Sequence, residues 1–250
     1  MVARVGDDLF GPATIKNFAK LGIDPTHVRQ VSGISSGVAP IFVESSGQNR
    51  IIVVKGANDT LKPSDVDAAA DMLKNADCIV LQFEIPAATV YYTIQFAQKN
   101  GIRCILNPAP AQPIDLKAVA ELDYFVPNES EAETITGLPV RNLDDAKRCA
   151  EKLLAGGIRR VLITLGVNGS LLAGKDGMEH VPAYSMKAVD STGAGDAFIG
   201  SFATFLGEGL PEREAVKRAN LYAGLSTTGV GTQKSFFDRA RFDEEWKRRA

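Results

Sequence analysis

The run Cys78-Ile-Val-Leu-Gln-Phe83, a helical pattern over residues 86–100 and the run Arg103-Cys-Ile-Leu106 form one strand–helix–strand unit. Short apolar runs that alternate with amphipathic helices are typical of βαβ folds, in which the strands lie parallel. We therefore predict an α/β fold with a mainly parallel sheet and helices on both faces, a Rossmann-like three-layer arrangement.

The same alternation continues along the rest of the chain. Hydrophobic periodicity and capping residues predict further strands over residues 124–126 and 160–164. They also predict helices over residues 64–75, 129–136, 143–155, 193–206, 212–226 and 238–247. The alternation therefore extends over most of the chain and predicts one large domain.

One segment interrupts this alternation. The apolar runs Val38-Ala-Pro-Ile-Phe-Val43 and Asn49-Arg-Ile-Ile-Val-Val54 flank the glycine-containing loop Glu44-Ser-Ser-Gly-Gln48. That pattern predicts a β-hairpin, which should project as a flap over residues 36–56. Because the sequence contains no repeat or flexible linker, we expect a single domain over residues 1–250.

Composition narrows the class of function. The chain has 250 residues, is 45% hydrophobic and 23% charged, and carries a formal net charge of −2. The chain contains no long run of Lys or Arg, which argues against a surface that binds nucleic acid or anionic lipid. We therefore expect small-molecule partners. Asp7 and Asp8 stand where a signal peptide would be apolar, and no run approaches a membrane span, which predicts a cytoplasmic protein. The three cysteines, an odd number without C-x-x-C spacing, are expected to be buried thiols in a reducing compartment: Cys78, Cys104 and Cys149.

The motif richest in chemistry is Asp190-Ser-Thr-Gly-Ala-Gly-Asp-Ala-Phe198, which runs into an apolar helix pattern. Small residues at a helix start let backbone N–H groups converge on an anion, and the helix dipole favours negative charge there. Asp196 in the first turn could then meet the hydroxyl that attacks a phosphorus atom, and its position should favour the ionised carboxylate. The alternative is that Asp196 only improves the helix dipole.

Polar residues also follow the predicted parallel strands. Glu84, Asn107, the pair Asn128 and Glu131, and Thr164 each lie at the end of one predicted strand or shortly after it. Open α/β sheets bind ligands beyond the carboxyl ends of their strands, so these residues should line one crevice. The structural alternatives are a rigid turn at Asn107 and a helix cap formed by Asn128 with Glu131.

A near match to the Walker phosphate loop occurs at Gly169-Ser-Leu-Leu-Ala-Gly-Lys-Asp176, but Asp176 replaces the hydroxyl residue. Lys175-Asp-Gly177 predicts instead a turn between two strands. The two histidines, His27 and His180, are far apart in sequence, so we expect no histidine triad or zinc cluster.

The 190–196 motif resembles the C-terminal signature of the ribokinase-like (PfkB-type) carbohydrate kinases, and the resemblance runs from Val5-Gly-Asp-Asp-Leu-Phe-Gly11 to the chain end. Four further segments are more similar to ribokinases than to adenosine kinases or phosphofructokinases: Leu81-Gln-Phe-Glu-Ile-Pro86, Asn107-Pro-Ala-Pro110, Pro127-Asn-Glu-Ser-Glu131 and Gly56-Ala-Asn58. The resemblance implies transfer of the ATP γ-phosphate to the primary hydroxyl of a sugar, with ribose expected. Kinases for 2-deoxyribose, fructose or a ketodeoxy sugar acid stay open, as does a catalytically silent nucleotide-binding relic.

The resemblance also implies roles for individual residues. Asp196 is similar to the family's catalytic base, which touches the sugar, and Gly193, Ala194 and Gly195 are similar to its anion hole. Glu84 matches a sugar-contacting glutamate. The hairpin is similar to part of a lid over the sugar, and its apolar run Ile51-Ile-Val-Val54 makes a homodimer through the lid plausible.

For the nucleotide and metals, Asn128 and Glu131 resemble the N-x-x-E residues that organise Mg²⁺ and phosphate. The residues implied in nucleotide binding are Asn128, Thr164, Gly166, Gly169, Gly195 and Asn220. The residues implied in binding a monovalent cation, usually K⁺, largely through backbone oxygens are Asp190, Thr192, Ser226, Gly229, Gly231 and Ser235.

The resemblance departs at the start of the sequence. Ribokinases open with an N-x-D sugar motif, further lid strands and a G-G-K-G-A-N loop, none of which occurs here. At ordinary element lengths, on the order of 50 residues are missing. We therefore expect an N-terminally truncated domain, which is either a fragment or misassigned reading frame or a protein that has lost part of its sugar site. We also expect weak or no activity on ribose.

Overall fold

A computed structural model of the chain describes residues 1–43 and 49–249, which divide into two compact units. The first unit is Met1–Ala76 with Gln82–Asn100, and the second is Asp77–Leu81 with Gly101–Ala250. The expected single domain over residues 1–250 stays a prediction.

The first unit combines two small sheets with helices. Its strands are β1 (Val2–Gly6), β2 (His27–Val31), β3 (Ile41–Val43) and β4 (Asn49–Ile51). Its helices are α1 (Phe10–Lys20), α2 (Pro63–Ala68), α3 (Ala70–Leu73) and α4 (Ala87–Asn100), with a 3-10 helix at Gly56–Thr60. Strands β1 and β2 pair in parallel, whereas β3 and β4 pair antiparallel.

The predicted hairpin is confirmed in its two strands. An additional bridge between Val38 and Val54 extends the pairing toward its root. The predicted loop over residues 44–48 lies outside the described residues. On the return leg, Ile52, Val53 and Val54 are exposed.

Two predicted elements of this region need correction. The helix predicted over residues 64–75 is interrupted at Ala69, where the backbone leaves helical geometry (φ −101°, ψ 6°). The strand predicted over residues 78–83 ends at Leu81, so Gln82 and Phe83 lie beyond it.

The second unit contains a six-stranded sheet in the order β10-β9-β8-β7-β6-β5. Its strands are β5 (Cys78–Leu81), β6 (Arg103–Leu106), β7 (Tyr124–Phe125), β8 (Arg160–Thr164), β9 (Ser170–Gly174) and β10 (Gly177–Val181). Its helices are α5 (Glu129–Thr136), α6 (Leu143–Ala155), α7 (Ala194–Gly207), α8 (Glu212–Ser226) and α9 (Arg239–Arg249). Strands β5 to β8 are parallel, and β9 and β10 are antiparallel, which confirms the mainly parallel α/β fold.

Helices cover both faces of this sheet. Leu162 of β8 belongs to a buried core shared with α7, α8 and α9, in which the rings of Tyr124 and Phe202 meet edge to face at 5.1 Å between centroids. Its neighbours Val161 and Ile163 point to the opposite face because side chains alternate along a strand, and α5 and α6 contact β8 there. The sheet is therefore the middle layer of three.

Three smaller predictions concern this unit. Gly174 pairs with Gly177, so Lys175 and Asp176 form the predicted turn between two strands and not a phosphate loop. Cys104 and Cys149 are buried as expected, but Cys78 is only partly buried because it opens strand β5 at the end of the sheet. None of the described helices combines the length and the apolar character that crossing a bilayer requires.

Candidate active site

The start of α7 presents unpaired backbone donors. Gly193 is the N-cap and adopts a left-handed conformation (φ 81°), which glycine tolerates best. The Ala194 N–H is already engaged, since it donates to the Ser191 carbonyl at 3.1 Å. The N–H groups of Gly193, Gly195 and Asp196 have no acceptor within the described part of the chain. Three donors at one helix end thus remain available to an anion.

Asp196 lies in the first turn of α7, as predicted. Its carboxylate accepts no hydrogen bond from any described residue, and its side chain is exposed. It lines a cavity of about 270 Å³ whose walls come from α7, α8, α9 and the preceding loop: Ala197, Gly200, Ser201, Thr204, Phe205, Tyr222, Phe236, Arg239 and Phe242.

The protonation of Asp196 differs from the expectation that its position favours the ionised form. The side chain is open to water on one side, yet the surrounding protein displaces enough solvent that burial raises its pKa above the usual value. Because no N–H of the described residues donates to the carboxylate, no hydrogen bond offsets this loss of hydration. Asp196 is therefore a better proton acceptor than an ordinary aspartate.

The strand-end residues of the second unit converge as predicted. Asn107 Nδ2, beyond β6, donates to the Val126 carbonyl at 2.9 Å and to Glu131 Oε2 at 3.2 Å. The Asn128 N–H donates to the same Glu131 oxygen at 2.9 Å, and the Glu131 N–H donates to Asn128 Oδ1 at 2.9 Å. Asn128 and Glu131 thus form the helix cap that the sequence left open as an alternative.

Glu131 is almost fully buried beneath this cap. Its second oxygen, Oε1, accepts from Asn128 Nδ2 at 3.0 Å, so both carboxylate oxygens are engaged by amides. Burial nevertheless raises the pKa of Glu131. The Asn107 side chain joins β6 to Glu131, a role that the family resemblance did not imply. The sequence feature that pointed to Asn107 was its position directly after a predicted strand.

The loop after β8 adjoins the same cap. The Thr164 N–H donates to the Pro127 carbonyl at 3.0 Å, and Thr164 forms a parallel bridge with Asn128. Gly166 (φ 51°) and Gly169 (φ 89°) allow the chain to turn sharply from β8 into β9. A Cβ at Gly169 would lie 2.2 Å from the Val181 carbonyl oxygen, so only glycine fits there.

The loop before α7 is tied to the loop after α8. Asp190 Oδ1 accepts from the Thr192 N–H at 2.9 Å and from Thr192 Oγ1 at 2.6 Å, while Oδ2 accepts from the Gly231 N–H at 3.1 Å. These hydrogen bonds lower the pKa of Asp190. Ser235 Oγ in turn donates to the Gly231 carbonyl at 2.5 Å.

The other residues expected around the monovalent cation are near these loops. A Cβ at Gly229 would lie 3.3 Å from the Ser235 Cβ, and Ser226 ends α8, its Oγ donating to the Ala223 carbonyl at 2.8 Å. A Cβ at Gly193 would lie 3.3 Å from Thr232, a neighbour that carries no sequence signal. Within residues 1–43 and 49–249, no group of three or more His, Cys, Asp or Glu side chains could hold a metal ion.

The last two predicted site residues are Asn220 and Glu84. Asn220 is buried on α8, and its side-chain amide makes two structural hydrogen bonds. It donates to the Val181 carbonyl at 3.0 Å and accepts from Ser170 Oγ at 3.2 Å. Its place beside the adenine stays a prediction. Glu84 belongs to the first unit, in the segment between β5 and α4.

Residues 1–239 match the family described as pfkB family carbohydrate kinase. The chain belongs to this family. As a pfkB-family kinase it is 44% identical over 245 residues to a deoxyribokinase of Salmonella typhimurium, covering 98% of this chain and 80% of the relative. It is 35% identical over 235 residues to a ribokinase of Staphylococcus aureus, covering 94% and 77%.

The pfkB-family kinase also resembles solved structures. A ribokinase from Arabidopsis thaliana complexed with ribose and ATP has a TM-score of 0.91 and 29% identity, covering 97% of this chain and 80% of that one. The chain is therefore a sugar kinase with the ribokinase-like α/β fold.

Proposed function

We propose that this pfkB-family kinase transfers the γ-phosphate of ATP to the primary hydroxyl of a pentose, with Asp196 accepting the hydroxyl proton. The observation that carries the proposal is an accessible carboxylate of raised pKa beside three unpaired N–H groups at the start of α7. A carboxylate within reach of the hydroxyl and donors for the phosphoryl oxygens are the two protein parts that such a transfer needs.

The division of roles follows from the geometry of α7. The N–H groups of Gly193, Gly195 and Asp196 stabilise negative charge on the transferring phosphoryl group, helped by the helix dipole. Ala194, expected to share this role, contributes through its small size, because its N–H is held by Ser191. The chemistry is mainly positioning and charge stabilisation, so a weak base such as Asp196 suffices.

For the acceptor, we propose 2-deoxyribose ahead of ribose. The support is the higher identity to the Salmonella deoxyribokinase, 44%, than to the Staphylococcus ribokinase, 35%, over nearly the same span of the chain. In this proposal Glu84 contacts the sugar and the hairpin over residues 36–56 is part of a lid. Its exposed residues Ile52, Val53 and Val54 offer apolar surface for a homodimer through the hairpin.

For the nucleotide, we propose that the phosphates of ATP lie toward α7. The loop of Thr164, Gly166 and Gly169 contacts the rest of the ATP molecule. Mg²⁺ fits the chemistry, since it keeps several waters and is held largely by substrate phosphates. Both oxygens of Glu131 are occupied by amides, so Glu131 with Asn128 would hold Mg²⁺ through water and not directly. Bound Mg²⁺ would neutralise charge on the phosphates.

We further propose that the linked loops of Asp190 and Gly231 bind a monovalent cation such as K⁺. Asp190 holds both loops by accepting hydrogen bonds from the neutral N–H groups of Thr192 and Gly231. In this proposal, nearby backbone carbonyls supply the hard oxygen ligands for the cation. Replacing K⁺ by tetramethylammonium, which is too large for a carbonyl cage, should lower kcat. Equal rates in the two salts would contradict the cation site.

The sugar assignment is tested by incubating the purified chain with ATP, Mg²⁺ and one sugar at a time, and measuring ADP release. We expect the highest kcat/KM with 2-deoxyribose, a lower value with ribose, and none with 5-deoxyribose, which lacks the primary hydroxyl. ATP binding is measured separately by calorimetry. If the chain binds ATP but none of these sugars causes release of ADP, the result would contradict the proposed reaction and indicate a catalytically silent relic.

A further inference from the structure

The carboxylate of Asp8 joins two segments of the first unit that are distant in sequence. Oδ1 accepts from the N–H groups of Phe10 and Gly11, at 3.1 and 3.0 Å, where α1 begins. The same oxygen accepts from Ser36 Oγ at 2.7 Å, and Oδ2 accepts from the Ser36 N–H at 2.7 Å. One side chain therefore receives four hydrogen bonds from the start of α1 and from residue 36.

Ser36 extends this network to β1. It is buried, and its Oγ accepts from the N–H of Gly6, the last residue of β1, at 3.0 Å. A Cβ at Gly6 would lie 2.4 Å from the Ser36 nitrogen, so the two backbones touch. The neighbouring Asp7 holds the same loop, since its Oδ2 accepts from the Gly33 N–H at 2.8 Å. The segment before the hairpin is thus fixed to a strand and to a helix.

Ser36 is also the root of the hairpin. Directly beyond it, Val38 and Val54 exchange two backbone hydrogen bonds of 3.0 and 2.9 Å, and the Ala57 N–H donates to the Ser35 carbonyl at 2.8 Å. A Cβ at Gly56 would lie 2.4 Å from the Ser35 oxygen. The two legs therefore cross in contact at the root, and an anchor on one leg holds both.

We propose that Asp8 is a positioning residue for the acceptor sugar: through Ser36 it sets the angle at which the hairpin stands over its ligand. The inference rests on the proposed role of the hairpin as a lid. Asp8 does not touch the sugar or the reacting atoms. Its effect reaches catalysis through the root of the hairpin.

A carboxylate is required at this position because four donors meet two oxygens. Asparagine keeps one acceptor oxygen and turns an NH₂ group toward donors, so at least one of the four bonds becomes a donor–donor contact. The variant Asp8→Asn preserves shape and volume, and it therefore tests the anchoring hydrogen bonds with little change in packing.

The test compares Asp8→Asn, Ser36→Ala and the double variant in the full chain. In each single variant we expect KM for the sugar to rise roughly 10-fold, with kcat and KM for ATP within about 2-fold, since binding of the sugar is weakened equally in the ground state and in the transition state. The double variant should show about the same rise as one single variant, because both changes break one linkage. Asp24→Asn is the matched control, an acid of the same unit whose carboxylate accepts hydrogen bonds, among the described residues, from Thr26 alone.

A second measurement does not depend on kinase activity. Amide hydrogen exchange at Val38 and Val54 should be faster in Asp8→Asn and Ser36→Ala than in the wild type, and unchanged in Asp24→Asn. If the wild type phosphorylates no sugar, the proposed function fails while exchange still tests the anchor. Three outcomes would overturn the proposal. They are unchanged amide exchange in folded Asp8→Asn, an equal rise in KM for the sugar and for ATP, and additive effects in the double variant.

Discussion

The backbone N–H of Asn128 donates to Glu131 Oε2 at 2.9 Å, and the Glu131 N–H returns a bond of 2.9 Å to Asn128 Oδ1. This reciprocal pair begins α5 at the carboxyl end of β7, where Asn107 also reaches Glu131. One pair of residues therefore both starts a helix and gathers three strand ends. Its removal should affect the fold and the proposed nucleotide site together.

We predict that Asn128→Ala lowers the free energy of unfolding by about 0.5–2 kcal/mol, the usual range for loss of an N-cap. The matched control is Asn142→Ala at the start of α6, where Asn142 Oδ1 accepts from the Asp145 N–H at 2.9 Å. Urea unfolding should give similar losses in both variants, but KM for ATP should rise only in Asn128→Ala. Equal KM values in the two variants would show that the α5 cap is structural only.

Asp196→Asn should reduce kcat by roughly 10²–10⁴ and leave ATP affinity nearly unchanged, because the change removes a proton acceptor but keeps the backbone donors. Single-turnover rates and calorimetric ATP binding measure the two effects. Asp144→Asn is the control, since Asp144 is an exposed acid in the first turn of α6. Turnover close to wild type in Asp196→Asn would remove Asp196 from the mechanism.

The pH dependence of activity should show the raised pKa of Asp196. The residue accepts a proton only when ionised, so kcat/KM falls as the pH drops through the pKa of the free enzyme. Burial raises that pKa, and the acidic limb should therefore lie at higher pH than for an ordinary aspartate. A pH profile of wild type and of the residual activity of Asp196→Asn tests this, because the limb should be absent in the variant.

The same shift has a consequence for stability. The folded state binds the Asp196 proton more tightly than the unfolded state, so this contribution is fully present below the unfolded pKa. It is lost as the pH rises through the higher, folded pKa. The melting temperature of Asp196→Asn minus that of the wild type should therefore increase when the pH is raised from acidic to neutral. A difference in melting temperature that does not change with pH would contradict the shift.

Gly169→Ala should be far more damaging than Gly177→Ala. Both glycines have positive φ, 89° and 119°, but a Cβ at Gly169 meets the Val181 oxygen at 2.2 Å, whereas at Gly177 no atom lies within 4 Å. We expect losses of about 1–2 kcal/mol at Gly177, from backbone strain, and about 3–5 kcal/mol at Gly169. Urea midpoints measure both, and similar losses would show that the contact with Val181 relaxes easily.

Elements with local signals were predictable from the sequence. Helices α5, α6 and α8 begin and end at the predicted residues, and the first two have asparagine N-caps, while Pro211 precedes the third. The break at Ala69 has no such signal, because alanine is the strongest helix former. Local patterning therefore determined the helices more reliably than the breaks between them.

The site was predictable in position but not in its hydrogen bonding. That polar residues after parallel strands converge follows from topology, and Asn107, Asn128 and Glu131 do converge. The sequence does not show that the Ala194 N–H is held by the Ser191 carbonyl. Nor does it show that burial raises the pKa of Asp196, whose cavity is lined by Tyr222 and Phe242 from distant parts of the chain. Such properties arise only when the chain is folded.

The bonds of Asn220 to Val181 and Ser170 pin helix α8 to the last residue of β10 and the first residue of β9. Sliding of α8 along the sheet would break both bonds at once, inside a buried environment where an unpaired amide is costly. The turn that ends at Gly169 and the segment that follows Ser226 are therefore carried by one stiff frame. We therefore expect any motion that accompanies turnover to move these two loops together.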